Sequence, residues 1–305
     1  MTKRLIVSDV SGTITDLEEG AVEFNRRFVV ALARAIQVPT EDVVMEVEVA
    51  MQAMDADPDL NGWQVGNEIV APATADPYVR MRAAVELVLD RHGLMLNHPR
   101  REGWLDRIFE QARKGTPTVF KPGALSYLAL MDQHHGAFMC NGEASTVQSF
   151  FQQFAEVVSS QAGLALLQEE FRAADEETRR DVLAMLERSS GRVHGEACRQ
   201  MVEPMFQVCD AELSIPGLGR PVLLHRGRYF QLLRQLMQQV GVNWDHLWVV
   251  GDIFEFDLAM PWALGANVVM IDNGVMPDYE RAWLATQERA HVTETLTGAC
   301  EILFS

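Results

Sequence analysis

The chain has 305 residues, enough for one large domain or two ordinary ones, and its hydrophobic fraction of 48% is normal for a globular protein. Its 26 Lys and Arg residues against 43 Asp and Glu residues give a formal net charge of −17. An acidic surface repels phosphate backbones and anionic lipids, so this composition argues against nucleic-acid and membrane partners. An anionic substrate would therefore need a local positive group or a metal ion.

The apolar stretches and the cysteines favour a cytoplasmic location. The first apolar run, residues 5–7, is too short for a signal peptide, and no later run approaches the length of a membrane span. The cysteines are scattered, without a C-x-x-C pair, at Cys140, Cys198, Cys209 and Cys300. We expect reduced core cysteines rather than a disulfide framework or a zinc site.

Short apolar runs predict the strands of a parallel sheet. They are near-continuous rather than alternating, as expected when helices cover both faces of a sheet. In chain order these runs are 5–7, 137–140, 222–224, 247–250 and 267–271. Amphipathic helical patterns at 122–133 and 228–240 lie among them. The alternation of strands and helices predicts an α/β fold with a doubly wound, Rossmann-like parallel sheet.

Two helical segments interrupt this alternation. We interpret 1–16 and 118–305 as the α/β core, with a helical insertion at about 158–204, and 17–117 as an almost wholly helical cap domain. Ligands bind beyond the carboxyl ends of parallel strands, so insertions that leave from those ends would lie near the site. An amphipathic helix suits a lid and a dimer surface equally, so the sequence leaves a homodimer open.

Two turns at strand ends carry carboxylates. Asp9 closes the first apolar run and begins Asp-Val-Ser-Gly-Thr-Ile, and Asp252 follows the 247–250 run in a turn that ends at Asp257. A strand-end carboxylate beside the N–H groups of a glycine turn suits a nucleophile that attacks an anionic group. Carboxylates from two such turns also suit one hard cation. Each turn alone has an ordinary structural explanation, but two in one parallel sheet favour a functional site.

These turns resemble the first and last motifs of the haloacid dehalogenase (HAD) superfamily. Residues 9–14 are similar to D-x-D-G-T-[LIV], and residues 251–266 are similar to G-D-x-x-x-x-D with its following helix. Cap domains of this family insert after the first strand, where 17–117 lies, and 120–123 resembles the return to the core. The resemblance implies an α/β HAD core with a helical cap and a hydrolase activity.

The resemblance also implies a magnesium site and a covalent mechanism. Asp9 would be the nucleophile, which forms an aspartyl-phosphate, and Mg²⁺ would be held by Asp9, the backbone carbonyl of Ser11 and Asp252. Asp257 would be an outer ligand or would orient a neighbour. The implied activity is that of a Mg²⁺-dependent phosphatase or phosphotransferase that acts on a small phosphorylated metabolite.

The middle motifs of the family are only partly present. The residues aligned with phosphate-binding positions are Gly12, Thr13, Cys140, Asn141 and Gly142. Cys140 replaces a Ser or Thr and is a poorer hydrogen-bond donor. Arg226 takes the place of the family's lysine, and its guanidinium can bridge oxyanions with a different reach.

Ser11 is the main departure from the pattern, because the family's phosphatases have there a second Asp that serves as acid and base. Positioned acid–base catalysis is typically worth ~10²–10⁴-fold in rate. Ser11 therefore predicts slow turnover, an acid–base group supplied from elsewhere, or a reaction that needs none. A catalytically attenuated binding or regulatory protein and a dehalogenase-like hydrolase stay open as alternatives. The 17–113 segment has no lysine, which argues against phosphonatase chemistry, and its sequence does not identify a substrate.

Overall fold

The structure is a computed structural model, and it describes residues 3–65, 68–93, 100–114, 116, 118–141, 144–172, 175–195 and 212–304. Gly142, Cys198 and Cys209 lie outside the described residues, as does the end of the segment 158–204. The chain divides into two compact units, one formed by Met1–Thr15 with Phe120–Ser305 and the other by Asp16–Val119. We call them the core unit and the inserted unit.

The described residues form strands and helices along the whole chain. The strands are β1 (Leu5–Asp9), β2 (Gly62–Val65), β3 (Glu68–Pro72), β4 (Ala137–Met139), β5 (Val193–His194), β6 (Glu212–Leu213), β7 (Val222–Leu223), β8 (Leu247–Gly251), β9 (Asn267–Ile271) and β10 (Ala290–Thr293). The α-helices are α1 (Leu17–Ile36), α2 (Thr40–Asp55), α3 (Pro77–Arg91), α4 (Arg101–Arg113), α5 (Ala124–Gln133), α6 (Ala144–Ser159), α7 (Gln161–Glu170), α8 (Glu176–Ser190), α9 (Gly227–Val240), α10 (Ala259–Ala263), α11 (Asp278–Leu284) and α12 (Leu296–Phe304). Within the described part of the chain, each helix is too short or too polar to cross a bilayer.

The core unit is built on a parallel sheet with the strand order β10-β9-β8-β1-β4-β5. In its centre, Val7 on β1 pairs with Ala137 on β4 and with Val249 on β8, both in parallel. The chain moves outward from β1 through β4 to β5 and then returns to β8 on the other side of β1. Ligands bind outside the carboxyl ends of the strands at such a switch point. This topology confirms the predicted fold class, a doubly wound α/β sheet.

The sequence predicted the central strands and missed the edges. The runs at 5–7, 137–140, 247–250 and 267–271 contain strands of the sheet, as predicted. The prediction of a parallel strand at 222–224 is wrong, because β7 pairs antiparallel with β6 outside the main sheet. The edge strands β5 and β10 were not predicted, since β5 has two residues and β10 alternates apolar with polar side chains.

The buried apolar strands explain why the sheet forms. All five residues of β1 are buried, and Ile6, Phe138 and Val250 from three adjacent strands have no exposed surface. Burying one such side chain contributes about 1.5–3 kcal/mol. Helices α7 and α8, which begin the segment 158–204, place Leu167 and Leu186 in the same core cluster. Where described, this segment therefore packs on the sheet and ends in its edge strand.

The inserted unit has its own apolar core. Asp16 begins α1 as its N-cap and accepts the N–H of Glu19 at 2.9 Å. Phe24 lies against Tyr78 and Phe109, with ring centroids 4.8 and 5.0 Å away. The prediction of an almost wholly helical segment is wrong at its middle, because β2 and β3 form an antiparallel hairpin. Trp63, Ile69 and Val70 are aromatic or β-branched and favour strands, a preference that the helical pattern assigned to the whole segment did not take into account.

Candidate active site

Three carboxylates meet at the carboxyl edge of the sheet, where the strand order reverses. Asp9 is the last residue of β1, Asp252 directly follows β8, and Asp257 lies on the π-helical turn Phe254–Leu258. One oxygen of each lies within 4.8 Å of the others. Their exposed fractions are only 2%, 9% and 1%, respectively. The two acidic turns of the sequence therefore form one buried site.

Gly251 and the turn after β8 bring Asp257 to this edge. A Cβ atom on Gly251 would lie 2.7 Å from Cβ of Asp257, so only glycine leaves room for this side chain. The Ile253 N–H donates to Asp257 Oδ2 at 3.3 Å, and the Tyr229 hydroxyl donates to the Asp257 carbonyl at 2.9 Å. Asp257 is therefore held against the end of β8 instead of extending into solvent as a helix-start residue.

The site disfavours three negative charges in its metal-free form. Burial raises the pKa of Asp9 well above its ordinary value, and the neighbouring carboxylates of Asp257 and Asp252 raise it further. Burial raises the pKa of Asp257 to about 6, although the Ile253 N–H, the Arg226 guanidinium and the Asn141 amide lower it. Among the described residues, Oδ1 of Asp257 has no hydrogen-bond partner.

These carboxylates fit a hard divalent cation. Mg²⁺ prefers oxygen ligands and is usually bound through one or two carboxylates. The cluster offers carboxylate oxygens close enough to share one ion, and one of these oxygens lacks any other partner within the described ranges. A cation would also offset the charge repulsion that raises the pKa of Asp9.

The turn after β1 joins two of the carboxylates. The hydroxyl of Thr13 lies 3.2 Å from Asp9 Oδ2 and 3.2 Å from Asp252 Oδ1, so it can donate to either. Gly12 has φ +83°, a left-handed conformation that favours glycine. Its N–H donates to Thr15 Oγ1 at 3.1 Å. In this structure the N–H of Gly12 therefore stabilises the turn.

Replacing Gly12 with alanine is expected to destabilise the protein by about 2 kcal/mol or more and to prevent magnesium binding. The left-handed conformation alone costs an alanine about 1–2 kcal/mol. In addition, a Cβ atom at this position would lie 2.0 Å from Asp252 Oδ2, so that carboxylate would have to move. Urea unfolding and the Mg²⁺-dependent rise in melting temperature measure the two effects.

Gly241→Ala is the matched control, because Gly241 has φ +76° but nothing lies within 4 Å of the position that its methyl group would take. This variant should show only the conformational cost and keep its response to Mg²⁺. Equal stability losses and equal Mg²⁺ responses for the two variants would contradict a close approach of Gly12 to Asp252.

Ser11 follows the end of β1, and Cys140 and Asn141 follow the end of β4. Ser11 is half-buried on the turn, and its hydroxyl makes no hydrogen bond within the described ranges. Cys140 directly follows β4, is buried, and donates its N–H to the His194 carbonyl at 3.0 Å. Asn141 is close enough to Asp257 to lower its pKa. Gly142, the last residue of this predicted phosphate-binding segment, lies outside the described residues.

Arg226 supports the turn that carries Asp257. Only 1% of its surface is exposed, and Nη2 donates to the Glu255 carbonyl at 3.0 Å. The guanidinium lies 4.2 Å from the centroid of the Phe256 ring. Its positive charge lowers the pKa of Asp257. These contacts place the guanidinium beside the turn that carries Asp257.

Sequence reasoning missed two polar residues of the site, Asn273 and Lys121. Asn273 follows β9 and donates to Asp252 Oδ2 at 3.1 Å and to the Gly12 carbonyl at 3.0 Å. Lys121 donates to that carbonyl and to Asn273 Oδ1. The position of Asn273 after a strand was a usable signal, whereas Lys121 lies in a linker before α5 with no such signal.

A second group of buried charges lies behind the turn of Asp257. Arg220 donates two hydrogen bonds to Glu255, at 2.7 and 2.9 Å, and the Tyr279 hydroxyl donates to Glu255 Oε1 at 3.3 Å. Glu280 is buried nearby, and its Oε2 has no hydrogen-bond partner among the described residues. Burial, then the charges of Glu255 and Asp272, raises the pKa of Glu280 well above its ordinary value, although Arg220 lowers it.

Replacing Glu280 with glutamine is expected to stabilise the protein increasingly as the pH rises. The unfolded carboxyl loses its proton near its ordinary pKa of 4.5, whereas the folded carboxyl keeps it to a higher pH. The wild type therefore loses stability between these two pKa values, and glutamine, which does not titrate, removes that loss. Urea unfolding across this pH range should show no advantage of the variant at the acidic end and about 1 kcal/mol or more near pH 8.

Glu255→Gln is the contrasting variant, because it breaks the buried pair with Arg220 and should destabilise the protein by about 3 kcal/mol. An advantage of Glu280→Gln that does not change with pH would show that Glu280 is not held in its protonated form.

Fold and site together define an α/β protein with a buried carboxylate cluster at the switch point of a parallel sheet. No protein-family model and no curated protein matches the sequence. The solved structures that match include a HAD-hydrolase from Bacillus subtilis bound to magnesium, with 12% identity, 99% coverage of both chains and a TM-score of 0.48. A HAD phosphatase from Thermococcus onnurineus has 11% identity over 99% of this chain and 98% of that chain, with a TM-score of 0.42. A 2-haloacid dehalogenase from Pseudomonas syringae has 14% identity over 99% of this chain and 98% of that chain, also with a TM-score of 0.42.

Proposed function

We propose that this chain is a Mg²⁺-dependent hydrolase of the HAD superfamily that acts on a small phosphorylated metabolite. The observation that supports this proposal most is the cluster of Asp9, Asp252 and Asp257, which comes from two separate acidic turns. Proteins that bind a metal only for structure have no need of a buried nucleophile beside it. Asp9 is buried at the end of β1 beside the other two carboxylates, a position that suits both a nucleophile and a metal ligand.

The metal would be held by Asp9, Asp252 and the Ser11 carbonyl, with Asp257 as an outer or direct ligand. When bound, Mg²⁺ neutralises carboxylate charge and stabilises the negative charge of a phosphoryl group during transfer. Without that neutralisation, three buried carboxylates would repel a phosphate. Arg226, which lowers the pKa of Asp257, contributes positive charge next to that carboxylate.

Asp9 would attack phosphorus with a carboxylate oxygen. The new bond joins that oxygen to phosphorus, the bond from phosphorus to the leaving oxygen breaks, and the leaving oxygen takes a proton. Water then gives up a proton and attacks phosphorus, and the bond from phosphorus to the Asp9 oxygen breaks, which releases phosphate and regenerates the carboxylate. Thr13 would orient Asp9 through its hydroxyl, which lies 3.2 Å from Oδ2. Asn141, beside Asp257, would offer an amide to the phosphate.

The side chain of Ser11 is poorly suited to protonate the leaving oxygen or to accept a proton from the attacking water. A serine hydroxyl needs a partner base to exchange protons near neutral pH, and Ser11 has no hydrogen-bond partner among the described residues. This observation favours slow turnover and keeps an attenuated binding or regulatory protein as the second candidate. A dehalogenase-like reaction, which needs no protonation of a leaving oxygen, is the third.

We also propose a cytoplasmic location, supported by the thiols of Cys140 and Cys300, which form no disulfide within the described ranges. The acidic composition supports a small-molecule substrate over a nucleic acid or a membrane.

A substrate panel tests the proposal. The purified protein is incubated with phosphorylated metabolites, with Mg²⁺ or with EDTA, and released phosphate is measured. We expect slow release that requires Mg²⁺ and is absent in Asp9→Asn. In parallel, halide release from 2-haloacids is followed under both conditions. Halide release that EDTA does not change would favour the dehalogenase-like reaction, and no release from either panel would favour a binding protein.

A further inference from the structure

The carboxamide of Asn273 connects three parts of the site. Its Nδ2 donates to Asp252 Oδ2 at 3.1 Å and to the Gly12 carbonyl at 3.0 Å, and its Oδ1 accepts from the ammonium of Lys121. Lys121 also donates to the Gly12 carbonyl. One amide thus links the end of β9, the turn after β1 and the carboxylate after β8.

The chemistry of its partners permits one orientation of this amide. The Gly12 carbonyl and the Asp252 carboxylate only accept hydrogen bonds, and the Lys121 ammonium only donates them. The NH₂ group must therefore face Asp252 and Gly12, and Oδ1 must face Lys121. A flipped amide would place oxygen against two oxygens and NH₂ against the ammonium.

The backbone around both residues is also fixed. Asp272 accepts the Gly274 N–H at 2.8 Å through Oδ1, forms an ion pair with Arg281, and so holds the turn on which Asn273 lies. The Lys121 N–H donates to the Ile14 carbonyl at 3.0 Å, next to a bridge between Thr15 and Phe120. The two side chains therefore start from turns that hydrogen bonds and an ion pair stabilise.

We propose that Asn273 is a positioning residue for the metal-binding carboxylate Asp252, and that Lys121 fixes the orientation of its amide. Partners that hydrogen-bond to metal-ligating carboxylates typically account for roughly 10–100-fold in metal affinity. The Thr13 hydroxyl lies 3.2 Å from Asp252 Oδ1 and Asn273 donates to Oδ2, so the two residues contact different oxygens of that carboxylate. The proposal rests on the proposed function only in that the carboxylate cluster binds a divalent cation.

Binding of Mn²⁺, followed by the electron paramagnetic resonance signal of the free ion, tests this without any substrate. Asn273→Leu removes the amide without changing charge and is expected to weaken Mn²⁺ binding by about 10-fold or more. Asn267→Leu is the matched control, because Asn267 begins the same strand and, among the described residues, its amide donates to the exposed Asp245 carbonyl at 2.9 Å and not to the carboxylate cluster. Its affinity should equal that of the wild type. Asn273→Ala is measured alongside, and both variants are first compared with the wild type by metal-free thermal unfolding.

The outcomes separate this inference from the proposed function. If the wild type does not bind Mn²⁺, the proposed metal site itself is wrong. If the wild type binds and both Asn273 variants bind within about 2-fold of it, the positioning role is overturned while the metal site stands.

Two variants test the role of Lys121, one that removes its positive charge and one that keeps a cationic donor. Removing its positive charge in Lys121→Met would strengthen Mn²⁺ binding if the ammonium acted only by repelling the cation. Loss of the amide orientation predicts the opposite, a binding several-fold weaker than wild type, with recovery in Lys121→Arg, which keeps a cationic donor. Tighter binding by Lys121→Met would overturn the role of Lys121.

Discussion

Replacing Asp9 with asparagine is expected to lower phosphate release by roughly 10⁴-fold or more, the loss typical of removing a nucleophile. The carboxylate that would bond to phosphorus is replaced by a carboxamide, which is a poor nucleophile. The turn itself should persist, because an asparagine can still accept the hydrogen bond from Thr13. The measurement is the rate of phosphate release at saturating Mg²⁺ on the best substrate of the panel.

Asp278→Asn is the control for this loss, since Asp278 is an exposed carboxylate in the first turn of α11. Its rate should equal that of the wild type. If Asp9→Asn kept more than about one hundredth of the wild-type rate, Asp9 would not be the covalent nucleophile.

Asp9→Asn should also stabilise the metal-free protein by about 1 kcal/mol or more, because functional sites often lower stability. Burial and two neighbouring carboxylates raise the pKa of Asp9 above its ordinary value of 3.8, so the charged form destabilises the fold. The wild type loses this stability as the pH rises from the unfolded pKa to the folded one, and the variant does not. Mg²⁺ at 100 times its dissociation constant would add about 2.7 kcal/mol to the wild type and reverse the order.

The sequence predicted best those site residues whose position follows from the direction of a strand. Parallel strands end at one edge of a sheet, so Asp9 and Asp252 could be assigned to one site from the ends of two apolar runs. Asp257 followed from its distance along the same turn. None of these steps required knowledge of side-chain contacts, because strand direction alone brings the turns together.

The contacts that the sequence did not predict are long-range or depend on small spaces. The close approach of Gly251 to the Asp257 side chain decides how the turn closes, and no residue pattern expresses it. Lys121 reaches Asn273 across 152 positions of the chain, so their pairing depends on the order of the strands. Likewise, the hairpin of β2 and β3 lies in a segment predicted to be almost wholly helical, because its cross-strand pairing is not expressed in the hydrophobic pattern.

Replacing Ser11 with aspartate is expected to raise phosphate release by about 10²–10⁴-fold, the usual contribution of a positioned acid–base group. Ser11 lies on the turn two residues after Asp9, is half-buried, and has no hydrogen-bond partner among the described residues. A carboxyl group there would protonate the leaving oxygen and then accept the proton of the attacking water. The rate of phosphate release at saturating Mg²⁺ measures this gain, and a new acidic limb should appear in its pH profile.

Ser11→Asn separates the acid–base effect from the effect of a larger side chain. An asparagine side chain has the same shape as an aspartate but cannot exchange a proton near neutral pH. It should give no gain. A fourth carboxylate beside Asp9 should also make the metal-free Ser11→Asp protein less stable than Ser11→Asn, because like charges already raise the pKa of Asp9. A wild type that turns over as fast as Ser11→Asp would show that another group already performs both proton transfers. A gain confined to Ser11→Asp would mean that nucleophile and metal site are competent, and that Ser11 alone keeps this protein slow.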